Sequence, residues 1–299
     1  MKSTILFITI LFFSILNAQT VKVTSRQTLP EKGQFPVLNN AGDKILFTSA
    51  GYVGLKLFDM AKKTNTIISD EDGAGYEPQF SPDDKSIYFR KTTFVNNRRF
   101  NGIFGFYIID NTQKELLKPQ RFLNRIQPLT SGVMAFAGNA LLKATVTKTI
   151  TPKSYVSADD QLRIVVYDGN NIQYLNPLKM EEPRYIWVSL SPDNQNILFT
   201  ALGKGTFICN LKGKILAELG NLNAPAWVNN KLVTGMEDKD DGHQIISSRI
   251  VVKDYASGKS SVISLPGQIA LYPTAATKSN KIAWQTNNNE IEIVEISIQ

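Results

Sequence analysis

The chain is poor in the residues that carry most metal and thiol chemistry: it holds one histidine and one cysteine. A single imidazole, His243, excludes a zinc centre of the Cys/His kind and leaves any histidine-dependent mechanism that one side chain. A single thiol, Cys209, cannot close an internal disulfide, so the fold must rest on a sizeable apolar core. Cys209 lies in the strand-like run FICN and is expected to be buried and inert. No G-x-S-x-G elbow occurs, which removes α/β-hydrolase chemistry. No segment reads as a capped amphipathic helix, which leaves an all-β chain. Glycine (19) and proline (13) are near ordinary usage, so no long linker or collagen-like repeat is present.

What is present is an ordinary globular composition with a basic balance, 42% hydrophobic, 20% charged and a formal charge of +7. Residues 1–18, MKSTILFITILFFSILNA, place Lys2 before an apolar run from Ile5 to Leu16. A membrane span needs about 20 apolar residues, whereas the core of a signal peptide needs roughly 7–15. Cleavage after Ala18 is expected, leaving residues 19–299 as one domain. No cysteine stands near the site, so a lipoprotein signal is absent. No later segment is apolar enough to span a membrane, and the expected location is periplasmic or secreted.

The organising feature is a repeat. PVLNNAGDKILFT from Pro36, PQFSPDDKSIYFR from Pro78 and VSLSPDNQNILFT from Val188 share one spacing, which sets Ile45, Ile87 and Ile197 two residues before Phe47, Phe89 and Phe199. Pro273 repeats it with Ile282 and Trp284, and Pro128 and Pro225 head degenerate copies. Each start is followed by a β-branched or aromatic run such as LKLFD, FYIID, IVVYD or IVVKD, then a turn and a third run. Six starts spaced by roughly 47 residues are the signature of a radial array of four-stranded sheets. The expectation is therefore a six-bladed β-propeller of four-stranded antiparallel blades. Val21 to Gln27 would complete the last blade, joining the two ends of the chain and removing an exposed edge. Seven blades are the alternative, because residues 128–187 make one long interval.

The motifs YEPQFSPDDKSIYF (76–89) and WVSLSPDNQNILF (187–199) resemble the TolB-type propeller repeat, which also occurs in propeller domains of prolyl-oligopeptidase-like enzymes. The resemblance spans nearly all of residues 19–299, and two copies carry the full Ser-Pro-Asp turn, where proline presets φ and carboxylates cap the loop. It implies architecture more than activity. A peptidoglycan-associated or outer-membrane partner is what a TolB likeness implies, although TolB's N-terminal domain has no counterpart here. Propeller lyases that use metal need several imidazoles, which this chain lacks.

Pseudo-symmetry gathers the residues just before the repeated starts, Phe35, Glu77, Gln127, Trp187, Ala224 and Tyr272, around one mouth of a central channel, with Tyr76 and Tyr185 close by. An aromatic-rich ring with a few polar groups suits binding of another protein. A second feature is the basic stretch Arg90, Lys91, Arg98, Arg99, Lys114, Lys118, Arg121 and Arg125, whose loop TTFVNNRRFNG is long for a hairpin and is expected to project. Third, Asp238, Asp240 and Asp241 before Gly242 offer hard oxygen ligands of the kind Ca2+ prefers, or else a solvated hairpin tip. The acidic run Ser69–Gly73 has the same two readings. The reading that follows is an exported, monomeric, non-enzymatic binding module for an envelope or secreted protein, with no nucleic-acid role and no required cofactor. The alternatives are a polysaccharide lyase or hydrolase using Glu77, and a calcium-stabilised structural module.

Overall fold

Three consecutive apolar residues recur in the second strand of the repeat: Ile45-Leu46-Phe47, Ile87-Tyr88-Phe89, Ile197-Leu198-Phe199 and Ile282-Ala283-Trp284. Alternate side chains of a strand point to opposite faces, so such a run describes a strand covered on both sides. The computed structural model describes residues 21–138, 140–145, 155–169 and 171–299, and all twelve of these side chains are buried in it. Ile45 and Phe47 pack toward the preceding sheet while Leu46 packs toward the following one. Tyr88 likewise faces away from Ile87 and Phe89.

Seven antiparallel sheets result. Blade 1 runs from Gln34–Leu38 to Thr64–Ser69, and blade 2 from Gln79–Phe80 to Thr112–Gln120. Blade 3 holds Gln127–Leu129, Gly132–Ala137 and Ala140–Thr145; blade 4 holds Tyr155–Ala158, Ile164–Tyr167 and Ile172–Leu175. Blade 5 runs from Tyr185–Leu190 to Ile215–Gly220, and blade 6 from Asn223–Trp227 to Ser260–Val262. Blade 7 holds Ala270–Ala275, Lys281–Thr286 and Ile291–Ile298, with Val21–Thr28 as its fourth strand. Seven apolar clusters of described residues lie one between each pair of neighbouring blades, including blades 7 and 1, so the ring is closed.

The expectation of six blades is therefore corrected to seven. The interval between Pro128 and Val188 contains two sheets, each of three strands among the described residues rather than four. Blade 4 has Ile164 nine residues after Tyr155 but neither a starting proline nor a ring at Val166, and a two-residue turn joins the first two strands of blade 3, so neither shows the whole motif of blades 1, 2 and 7. The closure by the N-terminal strand is present, with Val21 opposite Ile298 and Thr28 opposite Glu292. Arg26 fastens it: its guanidinium pairs with Glu292 at 2.5 Å, donates to the Ile263 carbonyl at 2.7 Å and lies over the Trp284 ring. Residues 1–18, read as a signal peptide, lie outside the described residues. Among the described residues no helix is long and apolar enough to cross a membrane.

The Ser-Pro-Asp turns work through the serine. Ser81 Oγ donates to Asp83 Oδ1 at 2.7 Å and accepts the N–H groups of Lys85 and Ser86; Ser191 does the same with Asp193, Gln195 and Asn196. These turns bond to one another on the face away from the mouth. Asn40 N–H donates to Asp84, Thr277 donates to Asn40, and Asp193 N–H donates to Asn230.

Candidate functional site

The residues that precede the repeated starts share an unusual backbone. Phe35 (φ 50°), Glu77 (49°), Trp187 (50°), Ala224 (45°) and Tyr272 (53°) are all left-handed, in five different blades. For a non-glycine residue this costs on the order of 1–2 kcal/mol, and for a bulky one it is an outlier. In blades 1, 5, 6 and 7 the inner strand is bulged at that point, so the left-handed residue swings out of the ladder and the next residue, Pro36, Val188, Pro225 or Pro273, turns into the interior. The neighbouring blade supports the strain: Phe35 N–H donates to Gln285 Oε1 at 2.5 Å.

Three of these positions carry aromatic rings, and two of them join a continuous arc. Tyr272 and Phe35 lie 4.8 Å apart, Phe35 stacks on Tyr52 at 4.6 Å, and Tyr52 meets Tyr76 edge-on at 5.2 Å. Phe35, Tyr52 and Tyr272 are half-buried, and Tyr76 is exposed. Tyr52 was not foreseen. It sits in a single turn of 3-10 helix, Ala50–Tyr52, and only its place between two strands, level with the mouth, marks it. The negative charge of Glu77, then burial, raises the Tyr76 hydroxyl above its ordinary value; burial, then the neighbouring tyrosines, raises Tyr52.

Beyond Tyr76 the arc opens into a cavity of about 370 Å³ lined by Tyr76, Glu77, Arg90, Arg125, Asp159 and Trp187 among others. Arg90 belongs to the basic stretch in sequence but, contrary to that expectation, not to the surface: it is 2% exposed, one step beyond the buried Phe89. Its two terminal nitrogens donate to the carbonyls of Leu123 and Asn124 at 2.9 Å, Glu77 stands 3.7 Å away, and the Tyr76 ring covers it. Among the described residues its Nε has no hydrogen-bond partner, and burial holds the guanidinium below its ordinary pKa against the opposing charge of Glu77. The far wall comes from the first turn of blade 4, which lies at this mouth. Leu162 C=O accepts the Tyr185 N–H, Ala158 C=O accepts Asn124 Nδ2, and Asp159 is locked to Arg163 at 2.7 Å.

The predicted ring is thus divided. Tyr272, Phe35 and Tyr76 fall on the arc, and Tyr76, Glu77 and Trp187 line the cavity. Gln127 has an ordinary backbone, and among the described residues its side chain bonds the Pro128 carbonyl alone; Ala224 packs against the core between blades 6 and 7. Tyr185 is not at the mouth surface. It is wholly buried, edge-on to Phe199, with its hydroxyl donating to Asn176 at 2.6 Å, because the bulge that turns Trp187 outward leaves residue 185 in the core register.

Elsewhere, Arg98 and Arg99 stand at the tip of the long blade 2 hairpin (Ser86–Val95 with Arg98–Tyr107) and are exposed. Asp240 and Asp241 cap the backbone N–H groups of Gly242, His243 and Gln244, and Asp238 accepts from Asn223. Among the described residues no three His, Cys, Asp or Glu side chains are grouped as a metal site. Glu71 of the Ser69–Gly73 run pairs with Lys91. Cys209 is buried, and burial pushes its thiol up to about 12.

No known protein family matches the chain, and no curated protein matches it by sequence. Among solved structures it is similar to the β-propeller domain of Cps50 (Swd1) from Myceliophteria thermophila, with a TM-score of 0.64 and 10% identity. The match covers 93% of this chain and all of that one. At that identity the likeness concerns the fold: the chain is a β-propeller, of seven blades.

Proposed function

We propose that the chain is a non-enzymatic propeller that binds an extended stretch of another protein across its mouth. The observation that carries this reading is the arc Tyr272–Phe35–Tyr52–Tyr76, accessible rings of which Tyr272 and Phe35 stand on a strained backbone at equivalent points of adjacent blades. Strain of this kind persists where the surroundings over-determine it and clusters at binding sites. Aromatic anchors dominate binding hot spots. The arc ends at a cavity where a side chain of the bound segment finds Trp187, Arg125 and Glu77. The apolar segment at residues 5–16 supports export, and the repeat's TolB likeness supports a partner in the cell envelope. The enzyme alternative rests on Glu77. It lacks a free second carboxylate in the cavity, since Asp159 is committed to Arg163, and paired-carboxylate hydrolysis needs two.

The test is capture from envelope extract with residues 19–299 as bait, followed by calorimetry with the purified partner. Trp187→Ala combined with Tyr272→Ala is expected to weaken binding at least tenfold with the circular dichroism spectrum unchanged. Retention of full affinity by the double variant, or turnover of an envelope polysaccharide that Glu77→Gln abolishes, would refute the reading.

A further inference from the structure

The blade 2 hairpin carries a feature that the mouth does not use. Its second and third strands stay paired from Ser86 opposite Tyr107 out to Val95 opposite Arg98, and the turn is made by Asn96 and Asn97, both left-handed. Arg90 is level with Glu77 at the mouth, so the strands continue past the mouth face into solvent. Every residue from Thr93 to Arg99 is exposed, Phe94 by 64% and Val95 by 55%. Beside the tip, Arg121 donates to the Arg99 carbonyl and lies over Phe122, itself 54% exposed. Among the described residues no carboxylate pairs with Arg98, Arg99 or Arg121. The nearest acidic loop is engaged lower down, where Glu71 meets Lys91 at 3.3 Å.

The arrangement of side chains says what covers this tip. Phe94 faces Arg99 across the ladder and Val95 faces Arg98, and consecutive residues alternate faces. Each face of the hairpin therefore shows one apolar and one cationic side chain. A partner with a single docking surface would cover one face and leave the other apolar group in water. A fluid apolar layer with anionic groups at its boundary, entered tip first, covers both. Arginine suits that boundary because its stem lies along apolar matter while its head stays with phosphate.

We propose that the blade 2 hairpin is a membrane-docking finger that seats Phe94 and Val95 among the headgroups of an anionic bilayer. Arg98, Arg99 and Arg121 hold the lipid phosphates, and Phe122 lies flat beside them. The chain carries its own control. The blade 6 hairpin, Leu232–Asp240 with Ile245–Asp254, is equally long and also bears an exposed isoleucine, Ile246, but ends in Asp240 and Asp241. An anionic surface repels it. This inference does not rest on the mouth being a binding site.

The experiment is sedimentation of protein beginning at Gln19, which keeps every strand of the ring, with phosphatidylcholine vesicles and with mixed phosphatidylcholine–phosphatidylglycerol vesicles. Binding is expected to the mixed vesicles and to fall with added salt. Arg98→Ala with Arg99→Ala should lower the partition coefficient about 25-fold, at roughly fivefold per arginine near an anionic surface. Phe94→Ser with Val95→Ser should lower it about tenfold, while Ile246→Ser changes nothing. A Phe94→Trp reporter should shift its emission to the blue on the mixed vesicles alone. All these positions are exposed, so folding is retained. No binding to mixed vesicles at low salt, undiminished binding by both double variants, or binding that ignores Phe94 and Val95 with no shift of the reporter would each overturn the proposal. So would retention of an acidic polypeptide by the arginines without any vesicle binding, which would give the tip to a protein partner.

Discussion

Blades 3 and 4 differ from the other five in three ways at once. Among the described residues they have three strands each, their inner strands carry no left-handed residue, and the apolar clusters that join blade 3 to blades 2 and 4 are small. The complete blades couple these features for a mechanical reason. A four-stranded sheet wedged between two neighbours brings its inner strand close to the axis, and the bulge lets that strand start there while its next residue turns back into the core. The same comparison explains the asymmetry of the mouth: the aromatic arc lies over blades 7, 1 and 2, whereas the cavity opens where blades 3 and 4 interrupt the pattern.

Core substitutions should separate the two regions most strongly. Trp284→Ala, between blades 6 and 7, removes a ring that also packs under Arg26 and is expected to cost about 3–5 kcal/mol in urea unfolding. Phe136→Ala, between blades 3 and 4, should cost about 3 kcal/mol or less, because fewer buried neighbours surround it. Equal losses would mean that all interfaces carry the ring alike. In the turns, Ser191→Ala takes the Oγ acceptor from Asn196 N–H, while Gln195 N–H keeps Asp193, and should cost about 1–2 kcal/mol. Thr130→Ala in the exposed two-residue turn of blade 3 should stay within about 0.5 kcal/mol.

The backbone offers a subtler contrast. Ala224→Gly removes left-handed strain and should stabilise by about 0.5 kcal/mol after the entropy cost of glycine, whereas Gln127→Gly, at an ordinary backbone, should destabilise by about 0.5–1 kcal/mol. A pH effect is expected to be smallest. Burial alone would raise Glu237, but Lys253 and Arg249 outweigh it and hold the carboxyl below its ordinary 4.5. Its contribution is therefore complete above that value and is lost as pH falls through the lowered one. Glu237→Gln should lower stability by under about 1 kcal/mol at neutral pH, and the difference should vanish as pH falls through the lowered value, which flattens the acid side of the stability curve.

Most of the architecture could be read from residues. The Ile-x-Phe triplets announced strands covered on both faces, and Val21 to Gln27 had no partner except the last blade. The blade count fell short by one because the full signal, a proline nine residues before an isoleucine with a ring two further on, is met in blades 1, 2 and 7 and only in part elsewhere. Tyr155 and Ile164 of blade 4 keep the nine-residue step, but no proline starts it and Val166 stands where the ring would be. At the site, the equivalence of Phe35, Glu77, Trp187, Ala224 and Tyr272 was visible as spacing, but their shared left-handed backbone was not. Tyr185 was misplaced because a single bulged residue reverses which side of a strand faces the core. Arg90 was misread for a related reason: composition counts charge without regard to the alternation that sends residue 90 inward.

The strand Val21–Thr28 lies against Ile291–Ile298, so the last seam of the ring unites segments from opposite ends of the polypeptide. A chain emerging from its N-terminus must hold that first strand unsatisfied until the final one exists, a long-range closure of the sort that slows folding. Once shut, the seam works in reverse as a latch. Any protease or pulling force that frees those eight residues exposes the edge of Ile291–Ile298 and the flank of blade 1 together. Resistance to degradation should then follow the opening rate of this one strand, and a cross-link from Arg26 to Glu292 should lengthen the lifetime of the whole ring.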